Sequence, residues 1–338
     1  MSGKKRSATN NIKIVKNGTT LSGKDLAQSL NTYFLSVSND LSPLNPLLLP
    51  AYLPAPRPVP KIFPDEVCTK MLNAKVFKSS GPDNIPNRII KDFPYELAEP
   101  VCHIFNTSLS TGEFPNIWKD ALITPIPNAP SVSCEEDKAF DRIDHNILVP
   151  KLLALGVRLS FIPWICSFLS NCRQSVKIDN FQSDWGVNNA GVPQGTKLGP
   201  ILFIIMINDL ELASSSTDHW KYVDDVTISE SLKKNEVSVL QSDLNTIERW
   251  IVNNNMKLNG KKCKEMIVSF VRSENDIPRL LIDGLPLDLV PSFKILGLTM
   301  NNKLKWQDNT EALVKKASKR LYIIRVLQRC GLPPNNLL

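Results

Sequence analysis

Two adjacent carboxylates, Asp224 and Asp225, stand inside Lys221-Tyr-Val-Asp-Asp-Val-Thr-Ile, a β-branched run whose flanks favour burial. Burying two unpaired anions side by side is costly, and the usual remedy is a metal ion held by oxygen ligands. The plain alternative is a tight turn between two strands, which Asp also favours. The Tyr-Val before the pair shifts the balance toward chemistry. Magnesium chemistry on phosphates often uses two ions about 3.5 to 4 Å apart. Such a site requires a third carboxylate from elsewhere in the chain. A second constellation precedes the first: Gly191-Val-Pro-Gln-Gly-Thr-Lys-Leu-Gly-Pro-Ile-Leu-Phe. Glycines at 191, 195 and 199 let the backbone approach a ligand closely, Pro193 stiffens the loop, and the helix that follows offers its N-terminus to phosphate or base. It is not a P-loop, because three residues separate Gly191 from Gly195 and Lys197 does not follow a glycine. A ligand-free connection between a strand and a helix is the competing reading.

The elements that must hold these residues follow from periodicity. Leu26, Leu30, Tyr33, Phe34, Val37 and Leu41 have the spacing of an amphipathic helix, with Ser22 as its expected cap. Eight prolines between Pro43 and Pro64 read as a linker, since each removes a backbone donor. Helices are predicted over 65–75, 95–111 (ending near Gly112), 146–155, 162–171, 198–210 (buried), 236–253 and 309–329. A hairpin is predicted with arms 175–178 and 183–187, a strand interrupted by the two carboxylates over 221–229, and short strands over 266–271, 280–282 and 293–300. Helices mixed with antiparallel-looking strands give an α+β chain.

Composition sets the outer limits. The 338 residues suggest two domains, and 42% hydrophobic content argues against wholesale disorder. The longest apolar run, Pro200 to Ile207, is far short of the roughly 20 residues that span a bilayer, so no membrane role is expected. The basic N-terminus has no apolar stretch behind it, which speaks against secretion. Seven cysteines without a C-x-x-C pair, and His103, His145 and His219 far apart, indicate neither zinc nor disulfides, and the location expected is intracellular, cytoplasm or nucleus. A formal charge of +7 suits a polyanionic partner, and a solvated surface equally.

The motifs in order resemble those of a known family. Tyr222-Val-Asp-Asp, the Gly-Val-Pro-Gln-Gly-x-x-Leu-Gly-Pro loop ahead of it, Lys138-Ala-Phe-Asp-Arg-Ile-Asp-His and Phe293-Lys-Ile-Leu-Gly-Leu are similar to those of reverse transcriptases from non-LTR (LINE-type) retrotransposons. Ser80-Gly-Pro-Asp-Asn-Ile-Pro, Trp118-Lys with Thr124-Pro-Ile-Pro, Met256-Lys-Leu-Asn with Lys262-Cys-Lys, and the helix before Gly331 add to the resemblance. It implies a right-hand polymerase: an N-terminal helix and Pro-rich linker over 1–64, partial fingers over 65–130, a palm with a split βαβ sheet over 131–292, and the primer grip and start of a thumb over 293–338. It implies an RNA template, a DNA primer, a deoxynucleoside triphosphate and two Mg2+ ions. Asp224 and Asp225 match metal ligands, Gln194 and Gly195 the loop against the nucleotide, and Tyr222 the residue opening the carboxylate motif. Phe140 falls at the aromatic position that excludes a ribose 2′-hydroxyl. Lys262 matches a lysine assigned proton donation to pyrophosphate. Lys294 lies in the primer grip, while Lys315, Lys316, Lys319 and Arg320 form i, i+4 cationic pairs suited to a duplex backbone.

Departures from the family pattern concern the metal site. The first palm aspartate falls at Glu135, whose extra methylene moves the carboxylate out by about 1.5 Å. The segment before it, Asn128-Ala-Pro-Ser-Val-Ser-Cys, lacks the apolar run of a central strand. Asp137 shares the strand face but lies about 6.6 Å further along. Only seven residues separate Pro127 from Glu135, where the family carries several dozen residues of fingers. An internal deletion and an inactive copy are therefore expected, with the endonuclease and most of the thumb also missing. Rival readings are a residual non-catalytic RNA- or DNA-binding protein and a product that does not fold.

Overall fold

In the computed structural model, residues 15–16, 19–49, 59–78, 80–125, 139–193, 195–233, 236–270 and 277–331 are described. Glu135, Asp137, Lys138, Gln194 and positions 50–58 of the expected linker lie outside them. The chain forms two compact units: Met1–Leu210 with Lys221–Val226 and Trp250–Lys257, and Glu211–Trp220 with Thr227–Arg249 and Leu258–Leu338.

The first unit opens with a two-residue ladder of β1 (Val15–Lys16) and β2 (Thr19–Thr20), then α1 (Gly23–Ser36). Leu26, Ala27 and Leu30 are buried, as the periodicity predicts, but Ser22 makes no side-chain capping bond. The helices α2 (Pro64–Leu72), α3 (Asn87–Asp92) and α4 (Pro94–Thr111) follow. Proline at the first position of α2 and α4 loses nothing, because those N–H groups lack helical partners. Val67, Met71, Ala98 and Cys102 form the core that α2 shares with α4. Gly112 ends α4 in the left-handed region at φ 70°.

The strand β3 (Asp120–Ile123) pairs in parallel with β4 (Cys172–Ile178). Two further strands, β5 (Phe181–Gln182) and β6 (Gly186–Asn188), pair antiparallel with β4. The predicted four-residue loop is tighter than expected: Phe181 pairs with Ile178, and only Asp179 and Asn180 turn, with Asp179 at φ 51°. Leu26, Ala27 and Leu30 of α1 pack on Val176 and Ile178 of β4. Between β3 and β4 in the chain lie α5 (His145–Ala154) and α6 (Ile162–Leu169), and after β6 comes α7 (Leu198–Met206). These three helices supply the largest core, centred on Leu148, Leu152, Ile162, Leu202, Phe203 and Met206. Buried on one face only, α7 leaves Ile201 and Ile204 about half exposed, against the expectation of a fully buried helix.

The predicted interrupted strand is a hairpin, β7 (Thr217–Tyr222) and β8 (Asp225–Glu230), forming its own two-stranded sheet among the described residues. The helix α8 (Leu240–Asn253) begins four residues later than its pattern suggests. In the second unit, the buried Asp243 of α8 accepts the Ser214 N–H at 2.8 Å. There β9 (Lys264–Glu265) pairs in parallel with β12 (Asp288–Leu289), and β10 (Leu281–Ile282) pairs with β11 (Leu285–Pro286). Residues 266–270 form no strand, because Val268 and Phe270 are exposed and β propensity without a partner edge makes no ladder. The single strand predicted over 293–300 is a hairpin, β13 (Ser292–Ile295) and β14 (Leu298–Asn301), folded at Leu296-Gly297 with φ 49° and 90°. The final helix is α9 (Gln307–Arg329), and none of its residues is buried.

One cation joins three parts of the first unit. The Arg142 guanidinium, 5% exposed, forms a two-pronged pair with Asp40 at 2.9 Å on each prong and donates to the Asn255 and Val37 carbonyls. It thereby ties the end of α1 and the end of α8 to the segment before α5. The hydrogen bond from Arg142, aided by its charge, lowers the Asp40 pKa from 3.8 to about 2. A carboxylate with a depressed folded-state pKa stabilises fully above its unfolded value and loses that contribution as pH falls through the folded one. Urea unfolding should therefore show stability lost between about pH 4 and pH 2, and Asp40→Asn should flatten that loss; an unchanged pH profile would contradict the pairing. Arg142→Met should cost about 3 kcal/mol at pH 7, because two carbonyls and a carboxylate lose their donor at once.

Candidate active site

The segment 140–143 lies directly against the glycine-rich loop. Gly191 N–H donates to the Ile143 carbonyl at 2.8 Å and Val192 N–H to the Phe140 carbonyl at 3.0 Å. His145, at the start of α5, donates from Nε2 to the Gly191 carbonyl at 2.6 Å. Burial pushes the His145 pKa down, against the opposing pull of the Gly191 bond and the Asp144 charge. The ring is therefore neutral, with its proton on Nε2, as donation to a carbonyl demands. Asp144 fixes the start of α5 by accepting the Asn146 N–H, and its other oxygen accepts from Asn255 Nδ2, each at 2.8 Å.

Gly191 has no substitute at this joint. Its φ is 84°, and a Cβ there would stand 2.8 Å from Asp141 Cα and 2.9 Å from the Asp141 carbonyl oxygen. Gly195 shares the φ of 84° but has nothing within 4 Å of a built Cβ. Phe140 is held by Phe203 of α7, ring centroids 4.6 Å apart, and both sit with Val192 in the main core.

The carboxylate hairpin is anchored at its tip. Val223 packs on the same core as Phe140 and Val192, in a left-handed conformation at φ 56° that a β-branched residue adopts only under constraint. Lys221 donates to the Leu210 carbonyl at 2.6 Å and to those of Ile207 and Asn208 at 3.3 Å, tying the hairpin to the end of α7. Asp224, Asp225 and Tyr222 are exposed, with Tyr222 at 61%.

Thus Phe140, the glycine loop and the Asp224 turn share one core, whereas Lys262, Lys294 and the α9 cations belong to the second unit. Lys262 is exposed, Lys294 pairs across β13–β14 with Thr299, and Lys315, Lys316, Lys319 and Arg320 are exposed on α9. Among the described residues, no group of three or more His, Cys, Asp or Glu side chains is placed to hold a metal ion. No described helix is long and apolar enough to cross a membrane.

Sequence reasoning missed Arg142 and His145 as structural residues of the site. Their signal was the polar run Asp141-Arg-Ile-Asp-His, broken only by Ile143, beside an aromatic, too polar for a core segment unless every group is bonded. Replacing Gly191 by Ala should destabilise the protein by about 3 kcal/mol, since strain and collision add. Gly195→Ala should cost about 1 kcal/mol from conformation alone. Chemical unfolding of the two variants measures the difference, and equal losses would refute the close approach.

Known proteins share these motifs. The family described as "Reverse transcriptase (RNA-dependent DNA polymerase)" matches residues 129–300. The RNA-directed DNA polymerase from mobile element jockey of Drosophila melanogaster is 24% identical over 335 residues, covering 73% of this chain and 36% of the relative. Since 73% of 338 residues is about 247, roughly 90 of those 335 aligned positions have no counterpart in this chain. The probable RNA-directed DNA polymerase from transposon BS, also of D. melanogaster, is 26% identical, covering 58% of this chain and 23% of the relative. The Retrovirus-related Pol polyprotein from type-1 retrotransposable element R2 of Popillia japonica is 26% identical, covering 57% and 36%. The chain thus spans about a third or less of the length of the curated relatives it matches. With the family matched over half its length and relatives drawn from such elements, the chain belongs to the reverse transcriptase (RNA-dependent DNA polymerase) family, on the non-LTR retrotransposon side.

Proposed function

We propose that this chain is a reverse transcriptase core whose polymerase centre is incomplete, so that it does not extend primers. In this reading residues 65–130 are partial fingers, 131–292 the palm, 293–338 the primer grip and start of the thumb, and 1–64 the helix and linker that precede them. Asp224 and Asp225 are the remaining metal ligands, Glu135 the degenerate third, and Mg2+ the ion the complete site would take. Bound there, magnesium would neutralise charge developing on a transferred phosphoryl group. Phe140, Gln194, Gly195 and Tyr222 would face the deoxynucleoside triphosphate, and Lys262 the leaving pyrophosphate. RNA template and DNA primer are the polymers implied, contacted by Lys294 and the α9 cations.

What supports the loss of activity is the first palm motif itself, where Glu135 stands in place of the family's aspartate with only seven residues between it and Pro127. The roughly 90 aligned jockey positions without a counterpart in this chain are in keeping with a loss of several dozen residues. Misplacing a reacting group by about 1 Å costs on the order of 100-fold, and a missing ligand costs more. On poly(rA)/oligo(dT) with magnesium or manganese, the protein should give no more extension than its Asp224→Asn variant. Robust extension that disappears in Asp224→Asn would overturn the proposal.

A second reading, residual nucleic-acid binding, is favoured by α9, whose cations all stand in solvent. Changing Lys315, Lys316, Lys319 and Arg320 to Ala should then weaken RNA binding and lower its salt slope by up to about 4. Unchanged affinity and slope would remove that reading.

A further inference from the structure

Apart from the carboxylate hairpin and the glycine loop, the first unit holds an open cleft of about 600 Å³ between the C-terminal turns of α4, the following 3-10 turn Asn116–Lys119, and α6. Among the residues lining it is Lys119, a lysine only 8% exposed. Its ammonium has a single bond among the described residues, 3.4 Å to Ser167 Oγ, and that hydroxyl already accepts the Phe114 N–H at 2.9 Å. No carboxylate of the described residues stands within 4 Å of it. The nearest in sequence, Asp120, is committed to Arg173 through two bonds of 2.8 and 2.7 Å. A lysine this little exposed, whose ammonium uses one bond, keeps donor capacity for an anion in the cleft, because a charge in such surroundings gains from being paired.

The walls supply the rest of an anion site. Thr107 Oγ1, the Asn116 amide and the His103 ring line the cleft and make no hydrogen bonds among the described residues. The floor is stiff, because Phe114 packs edge-on against Trp118, Trp164 and Phe168 at 5.9, 5.2 and 5.1 Å. A lysine point charge with hydroxyl, amide and imidazole donors is the chemistry that holds a tetrahedral oxyanion. Glu113, also on the lining, limits the charge the cleft accepts, which favours a singly charged phosphodiester over a dianion.

We propose that this cleft binds a phosphate-class oxyanion of single charge through Lys119, with Thr107, Asn116 and His103 as further hydrogen-bond donors. The proposal does not rest on the polymerase reading, since the cleft shares no residue with the site assigned there. Isothermal titration of the full chain at low salt, with the dinucleoside monophosphate d(TpT) and separately with inorganic phosphate, tests it. At least one probe should bind; tighter d(TpT) identifies a nucleic-acid backbone as the source, and tighter inorganic phosphate a free ion. Lys119→Met should weaken the favoured probe at least about tenfold, Lys119→Arg should retain it, and Glu113→Gln should tighten it. Thr107→Glu, a change at a wall position, should abolish binding while the melting temperature stays at the wild-type value, and it decides the matter if Lys119→Met does not fold. Failure of both probes to bind the wild-type chain, or undiminished binding in Thr107→Glu, would overturn the proposal.

Discussion

The backbone of 140–143 lies against that of Gly191–Val192 with no side chain between them, and much of the first unit is organised around that contact. It requires a glycine at 191, because any Cβ would collide with Asp141, and a proton on His145 Nε2, because only a donor can bond the Gly191 carbonyl. Arg142, in the middle of the same short segment, reaches the ends of α1 and α8. Six consecutive residues, Phe140 to His145, thus hold the loop, two helix ends and the cap of α5. The polar groups tolerate burial there because each is matched to a partner, and removing one partner strands another.

The carboxylate hairpin depends on that core rather than on its own sheet. A two-stranded hairpin is marginal in water by itself. Here Val223 is drawn into the cluster of Phe140, Val192 and Phe203, at the expense of a left-handed backbone, and Lys221 binds the last carbonyls of α7. The acids at the turn are therefore positioned while remaining in solvent.

Much of the second unit is held by polar loop contacts. Asn301 accepts the N–H groups of Lys303 and Lys305, and Asn309 accepts that of Thr299, which sets the start of α9 against β14. Beyond that start, α9 exposes both its cations and its apolar residues, Leu313, Leu321 and Ile324 among them. The sequence predicts a helix here without naming a face that it buries. The helix forms, and none of its residues is buried.

The sequence by itself determined the motifs, their order, the family and most helices, because helical periodicity and turn residues act over a few positions. The helices 94–111, 145–154 and 307–329 fall within a few residues of their patterns, and Gly112 ends its helix as its type predicts. Glu135 and Gln194 were legible as motif positions, while their placement lies outside the described residues. Tertiary structure alone decided what depends on pairs distant in the chain. Residues 266–270 had β propensity but no partner edge, 293–300 folded back on itself, and Arg142 met Asp40 across about a hundred residues. It also decided that Lys119, an ordinary lysine in the sequence, would be enclosed without a carboxylate. Burial and pairing belong to the folded neighbourhood, and no local pattern encodes which groups a distant segment brings along.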